Sequence, residues 1–143
     1  MPPQLVNYIT EAEYRQHYES MYCRRVHHTF DGFRVFFSKQ QFNDAFYESA
    51  NRKARDKSVF ARQRAERIDW IGTALREVTS ELYAGWDRDK KQINRARRVC
   101  LVYGDYVVVL QVNQAKLTAI FITAYIADQH TIESIRQNPR WVP

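Results

Sequence analysis

The spacing of apolar residues changes near Val78, and that change restricts the chain to a mixed fold. Upstream, apolar positions recur every three to four residues, as in FARQRAERIDWIGTAL (60–75), where Ile68, Ile71 and Leu75 share one helical face. Downstream, apolar and polar side chains alternate, and the segments 81–86, 97–103, 106–112 and 117–126 read as four strands. Gly104-Asp105 supplies a two-residue hairpin turn between the second and third of them. Short connections predict an antiparallel meander. The expected fold class is therefore α+β: N-terminal helices (1–78) packed on one face of a C-terminal antiparallel sheet of about four strands (79–127). A short last helix is expected within 129–138, over about 131–136, ending before Pro139.

The helical half divides further. Thr10 and Glu13 have capping-box spacing and open a helix to about Tyr22. The stretch 28–37 is β-rich around Asp31-Gly32, as a short hairpin or a bent strand. Ser38-x-x-Gln41 has capping-box spacing again, before a helix whose face is Phe42, Ala45, Phe46 and Ser49. The charged run 51–58 reads as a loop before one long arginine-bearing helix.

At 143 residues the chain is expected to be a single domain, 1–143. No apolar run approaches the roughly 20 residues of a membrane span, and the first residues lack a signal-peptide pattern. Cys23 and Cys100 are far apart, which suggests free thiols and a cytoplasmic location. The four glycines form no phosphate-cradling loop, and no nucleophile elbow or metal triad appears. No metal and no cofactor are expected. The net charge of +6 is uneven: residues 51–98 hold 14 of the 22 Lys and Arg but 7 of the 16 Asp and Glu. A basic block in an otherwise near-neutral chain fits a polyanion partner, and RNA suits the many aromatic residues beside it. Within the block, Arg62, Arg64 and Arg67 point in different directions around a helix. At least one must lean towards the fold, against a carboxylate such as Glu66 or Asp69, or against a phosphate.

Other candidates are polar residues in unusual places. In AIFITAYIAD (119–128), alternation puts Phe121, Thr123 and Tyr125 on one face and Ile120, Ile122, Ala124 and Ile126 on a buried one. Thr123 and Tyr125 then offer two hydroxyls about 7 Å apart. Asp44 and Glu48 stand at i, i+4 on the second helix, a spacing that suits acid–base work if partly buried and a solvated pair otherwise. His27-His28 precedes a strand and reads as surface more readily than as catalytic.

Taken in order, FNDAFYES (42–49), RAERIDWI (64–71), ELYAGWD (81–87), GDYVVVL (104–110) and FITAYIAD (121–128) resemble phage-associated members of the barnase–EndoU–colicin–RelE superfamily of ribonucleases. The resemblance spans roughly residues 22–141. It implies a metal-independent endoribonuclease, toxin-like, in which a ribose 2′-OH attacks the adjacent phosphate and leaves a 2′,3′-cyclic phosphate. It also implies a cognate antitoxin or inhibitor protein as partner. Arg64 and Arg67 match the RAER motif and become candidates for phosphate binding; Thr123 and Tyr125 match the strand motif. Asp44 stands where similar sequences carry a histidine, through drift, an altered mechanism or an engineered inactivation. Arg62, Lys90, Lys91, Arg95, Arg97 and Arg98 are assigned to RNA contact on charge alone. The alternative is a non-catalytic RNA-binding or interaction module on the same fold.

Overall fold

The computed structural model describes residues 2–49, 58–87 and 91–141, with the backbone alone for Trp86, Asp87 and residues 93–97. The fold is α+β. Among the described residues, five α-helices run in chain order as α1 (Glu11–Tyr18), α2 (Gln41–Phe46), α3 (Arg62–Ala65), α4 (Ile68–Arg76) and α5 (Gln129–Arg136). A π-helical turn, Glu19–Cys23, extends α1. The strands are β1 (His27–His28), β2 (Arg34–Phe36), β3 (Tyr47–Glu48), β4 (Val59–Phe60), β5 (Glu81–Asp87), β6 (Gln92–Tyr103), β7 (Tyr106–Asn113) and β8 (Thr118–Ile126).

The sheet is larger than the four expected strands. Among the described residues, six strands pair in the order β1-β2-β8-β7-β6-β5, and β3 and β4 make a separate pair. The meander β5–β8 is antiparallel, as the short turns require; Gly104 takes φ +64° in the β6–β7 turn. The β1–β2 hairpin adds two strands, because β2 joins β8 in parallel through Arg34↔Thr118 to Phe36↔Ile120. The parallel pairing is possible because most of the helical half lies between these strands as a crossover.

Helices α1–α4 cover one face, with Tyr18, Phe42, Ile71 and Leu75 packed on Leu101, Val108, Leu110 and Phe121. Helix α5 lies on the other face, where Ile132 and Ile135 meet Tyr83, Val102 and Val107. Successive residues of a strand point to opposite faces, so Val107 and Val108 belong to different cores.

Three local expectations are corrected. The long helix is broken between α3 and α4. The amide of Val6 donates to the Glu66 carbonyl (2.8 Å), and the Trp70 amide turns to Arg67 instead (2.9 Å). An N-terminal arm thus takes the acceptor that would have continued the helix. Gln40, not Ser38, occupies the N-cap of α2, although the Ser38 hydroxyl accepts from the Gln41 amide (3.2 Å). In β8, Val109 pairs Thr123 while Leu110 pairs Phe121, leaving Ile122 as the extra residue of a bulge. The bulge breaks the simple alternation: Phe121 and Ala124 are buried, and Ile120 and Ile126 are exposed. The predicted buried isoleucine face does not form. Residues 92–95, upstream of the expected strand 97–103, belong to β6; most of the charged run 51–58 lies outside the described residues.

Candidate phosphate-binding cleft

The cleft is assembled where α2 ends and α3 begins. The Ala61 amide donates to the Phe46 carbonyl (2.7 Å), and Tyr47↔Phe60 and Glu48↔Val59 pair beside it. These bonds bring Glu48 next to the first turn of α3. Helix α3 in turn lies against β8, so the Arg64 guanidinium sits 5.6 Å from the centre of the Tyr125 ring. The resulting cleft is about 430 Å³ and is lined by Glu48, Ala61, Arg62, Gln63, Arg64, Arg67, Tyr125 and Ile126.

The three arginines are held differently. Arg62 is exposed, bonds the Tyr8 carbonyl, and pairs with Glu66 at 3.8 Å. Among the described residues, the Arg64 guanidinium donates one hydrogen bond, to the Ala45 carbonyl, at 3.5 Å. Arg67 donates to the Gln63 carbonyl (2.7 Å) and lies over the Trp70 ring, while its Nε is buried without a partner among the described residues. Among the described residues, no carboxylate stands within ion-pairing distance of Arg64 or Arg67. Of the two partners foreseen for this helix, the carboxylate is taken by Arg62. The other two guanidiniums retain unused donors, in a geometry that suits the oxygens of a phosphate. Beneath them, the Tyr106 hydroxyl points at the Arg67 carbonyl (3.4 Å), and burial raises its pKa well above the ordinary tyrosine value, so it stays a neutral phenol.

The expected residues gather unevenly. Arg62, Arg64, Arg67 and Tyr125 line the cleft together. Asp44 is exposed on α2 and Thr123 is half-buried on β8; neither is among the described residues that line it. The Thr123 hydroxyl is buried without a partner among the described residues. Asp44 and Glu48 do not share a helix face, since α2 stops at Phe46 and Glu48 lies on β3. Lys91 is exposed in the turn before β6. Arg98 is half-buried, with its Cγ pressed against Gly85, where an added Cβ would come within 2.4 Å. Lys90 lies outside the described residues, as do the side chains of Arg95 and Arg97. His27 is a core residue, its Nε2 donating to the Met21 carbonyl (2.7 Å), and His28 is exposed. Sequence reasoning paired Glu48 with Asp44 on one helix and so did not place it beside the arginines, because nothing in FYES marks the helix as ending at Phe46.

Among the described residues, no cluster of three or more His, Cys, Asp and Glu is placed to hold a metal ion, and no helix is long and apolar enough to cross a membrane. Cys23 and Cys100 are free thiols. Comparison with protein-family models, with curated proteins and with solved structures found no match.

Proposed function

We propose that this protein is a metal-independent, toxin-like endoribonuclease of the barnase–EndoU–colicin–RelE type, and that its arginine cleft receives the scissile phosphate. The observation that carries the reading is the convergence of Arg64 and Arg67, both without ion pairs among the described residues, with Tyr125 and Glu48 in one cleft. Each group has a role in the chemistry. The Glu48 carboxylate takes the proton of the ribose 2′-OH as its oxygen bonds phosphorus. Arg64 and Arg67 neutralise the charge that gathers on the pentavalent phosphate. The Tyr125 hydroxyl gives its proton to the departing 5′-oxygen, leaving a 2′,3′-cyclic phosphate. A cytoplasmic location and an acidic inhibitor that covers the cleft belong to the same proposal.

A second reading, a non-catalytic RNA-binding module, is favoured by one observation. No histidine is among the described residues lining the cleft, and Asp44 stands where the resembling sequences carry one. The two readings separate in a single experiment. Total RNA is incubated with the purified chain and with Asp44→His, in the presence of a chelator, and fragment ends are analysed. Cleavage with 2′,3′-cyclic ends, lost in Arg64→Ala and Glu48→Gln, is the expected result. Retarded but intact RNA with both proteins would leave the binding module; RNA neither bound nor cut would defeat both readings.

A further inference from the structure

A second cleft, beside α1 and the π-helical turn, holds a different chemistry. The Tyr8 hydroxyl meets Nδ1 of His17 at 2.9 Å, and Nε2 of His17 meets the Asp69 carboxylate at 2.7 Å. The three residues come from the N-terminal arm, α1 and α4, separated by 9 and 52 positions. A hydroxyl on one imidazole nitrogen and a carboxylate on the other is the arrangement by which proteins activate a weak oxygen nucleophile. The carboxylate fixes Nε2 as the protonated nitrogen and leaves Nδ1 as the acceptor for the phenol proton. The nucleophile itself is held in place: the Tyr8 amide donates to the Tyr14 hydroxyl (3.0 Å), which donates to the Val6 carbonyl (2.7 Å). Beside the chain opens a cleft of about 340 Å³ lined by Tyr8, Glu13, Gln16, His17, Ser20, Met21 and Arg25. Ser20 and Met21 belong to the π-helical turn, a form of backbone found disproportionately at functional sites. Arg25 supplies a guanidinium for an anionic oxygen, while Glu13 is engaged by the Thr10 amide and hydroxyl.

We infer that Tyr8, His17 and Asp69 form a nucleophile–base–orienter chain, a second catalytic site that accepts a phosphate ester and takes its phosphoryl group onto the Tyr8 hydroxyl. The Tyr8 oxygen bonds phosphorus as the bond from phosphorus to the ester's leaving oxygen breaks. The phenol proton passes to Nδ1 of His17, and the resulting imidazolium is stabilised by Asp69 before it protonates the leaving oxygen. Water, activated by the same imidazole, then releases the phosphoryl group from Tyr8. Asp69 is a positioning residue here and touches no reacting atom.

The full chain is treated with diethyl p-nitrophenyl phosphate, a substrate whose leaving group is coloured and whose tyrosine adduct is stable enough to map. One equivalent of p-nitrophenolate should appear in a burst, with the adduct found on Tyr8 by peptide mass mapping. Tyr8→Phe should abolish the burst, and His17→Gln should slow it by roughly 100-fold, the usual contribution of a positioned base. Inorganic phosphate should protect Tyr8 in the native chain and not in Arg25→Ala. A chain of bonds that merely latches the arm predicts none of this. The inference is overturned if the unaltered chain carries no adduct on Tyr8, a result independent of whether any variant folds. It is equally overturned if a folded His17→Gln or Asp69→Asn protein reacts at the native rate.

Discussion

Tyr22 shows how one side chain rebuilds the backbone around it. Its hydroxyl accepts from the Gly72 amide (3.0 Å) and donates to the Ile68 carbonyl (2.5 Å), so it is inserted into an i→i−4 bond of α4. Burial raises its pKa, and the phenol stays a donor at any physiological pH. Tyr22→Phe should cost about 1–2 kcal/mol in urea unfolding, a typical value for a buried bond whose partners can partly re-pair. His27 packs against the same ring, 5.0 Å between centres. Burial lowers its pKa below the ordinary histidine value, with Arg76, Arg25 and His28 adding repulsion, while the bond to Met21 opposes the shift. The unfolded chain therefore binds the proton first as pH falls. Stability is full above about 6.5, the unfolded value, and declines below it until His27 also titrates in the folded state. The urea midpoint should fall between pH 7.5 and 5.5, and His27→Gln should remove that part of the fall attributable to this group. Neither role was visible in the sequence. A tyrosine at helical spacing and a histidine at a strand start carry no mark of the distant backbone they bond.

Elements were legible where their signals were local. Thr10 forms the expected capping box, its hydroxyl accepting from the Glu13 amide (3.3 Å) and the Glu13 carboxylate accepting from the Thr10 amide (3.0 Å). Thr10→Ala should cost about 1 kcal/mol in thermal unfolding. The strands from β5 to β8 were found from alternation and turn residues alone. The break between α3 and α4 was not, because its cause is a carbonyl taken by Val6, some 60 residues away. The bulge in β8 was not, because no glycine marks it. The face that β8 buries has a mutational signature. Phe121 is fully buried and Ile120 is 49% exposed. Phe121→Ala should lose about 3–5 kcal/mol, and Ile120→Ala within about 0.5 kcal/mol of nothing. A loss at Ile120 as large as that at Phe121 would restore the buried isoleucine face read from alternation.

At the scale of the molecule, the change of period fixed the class but not the sheet order. The β1–β2 hairpin is only two and three residues long per strand, and its attachment to β8 in parallel depends on the packing of everything between them. The cleft has the same origin. Arg64 and Arg67 were readable as candidates from RAER, yet Glu48 joins them only because α2 stops early and β3 pairs with β4. The basic block makes the final prediction quantitative. If the cleft receives RNA phosphates, log affinity for a single strand should fall linearly with log salt, by about 0.7 per phosphate neutralised. Arg64→Ala and Arg67→Ala should each flatten the slope by about that amount and weaken binding at low salt. Asp44→Asn, on an exposed position outside the described lining, should leave the slope unchanged. The slope reads counterions released from the RNA and is insensitive to whether the strand is later cut. A slope that both arginine variants leave untouched would move the RNA contact to another surface, and the proposed phosphate site with it.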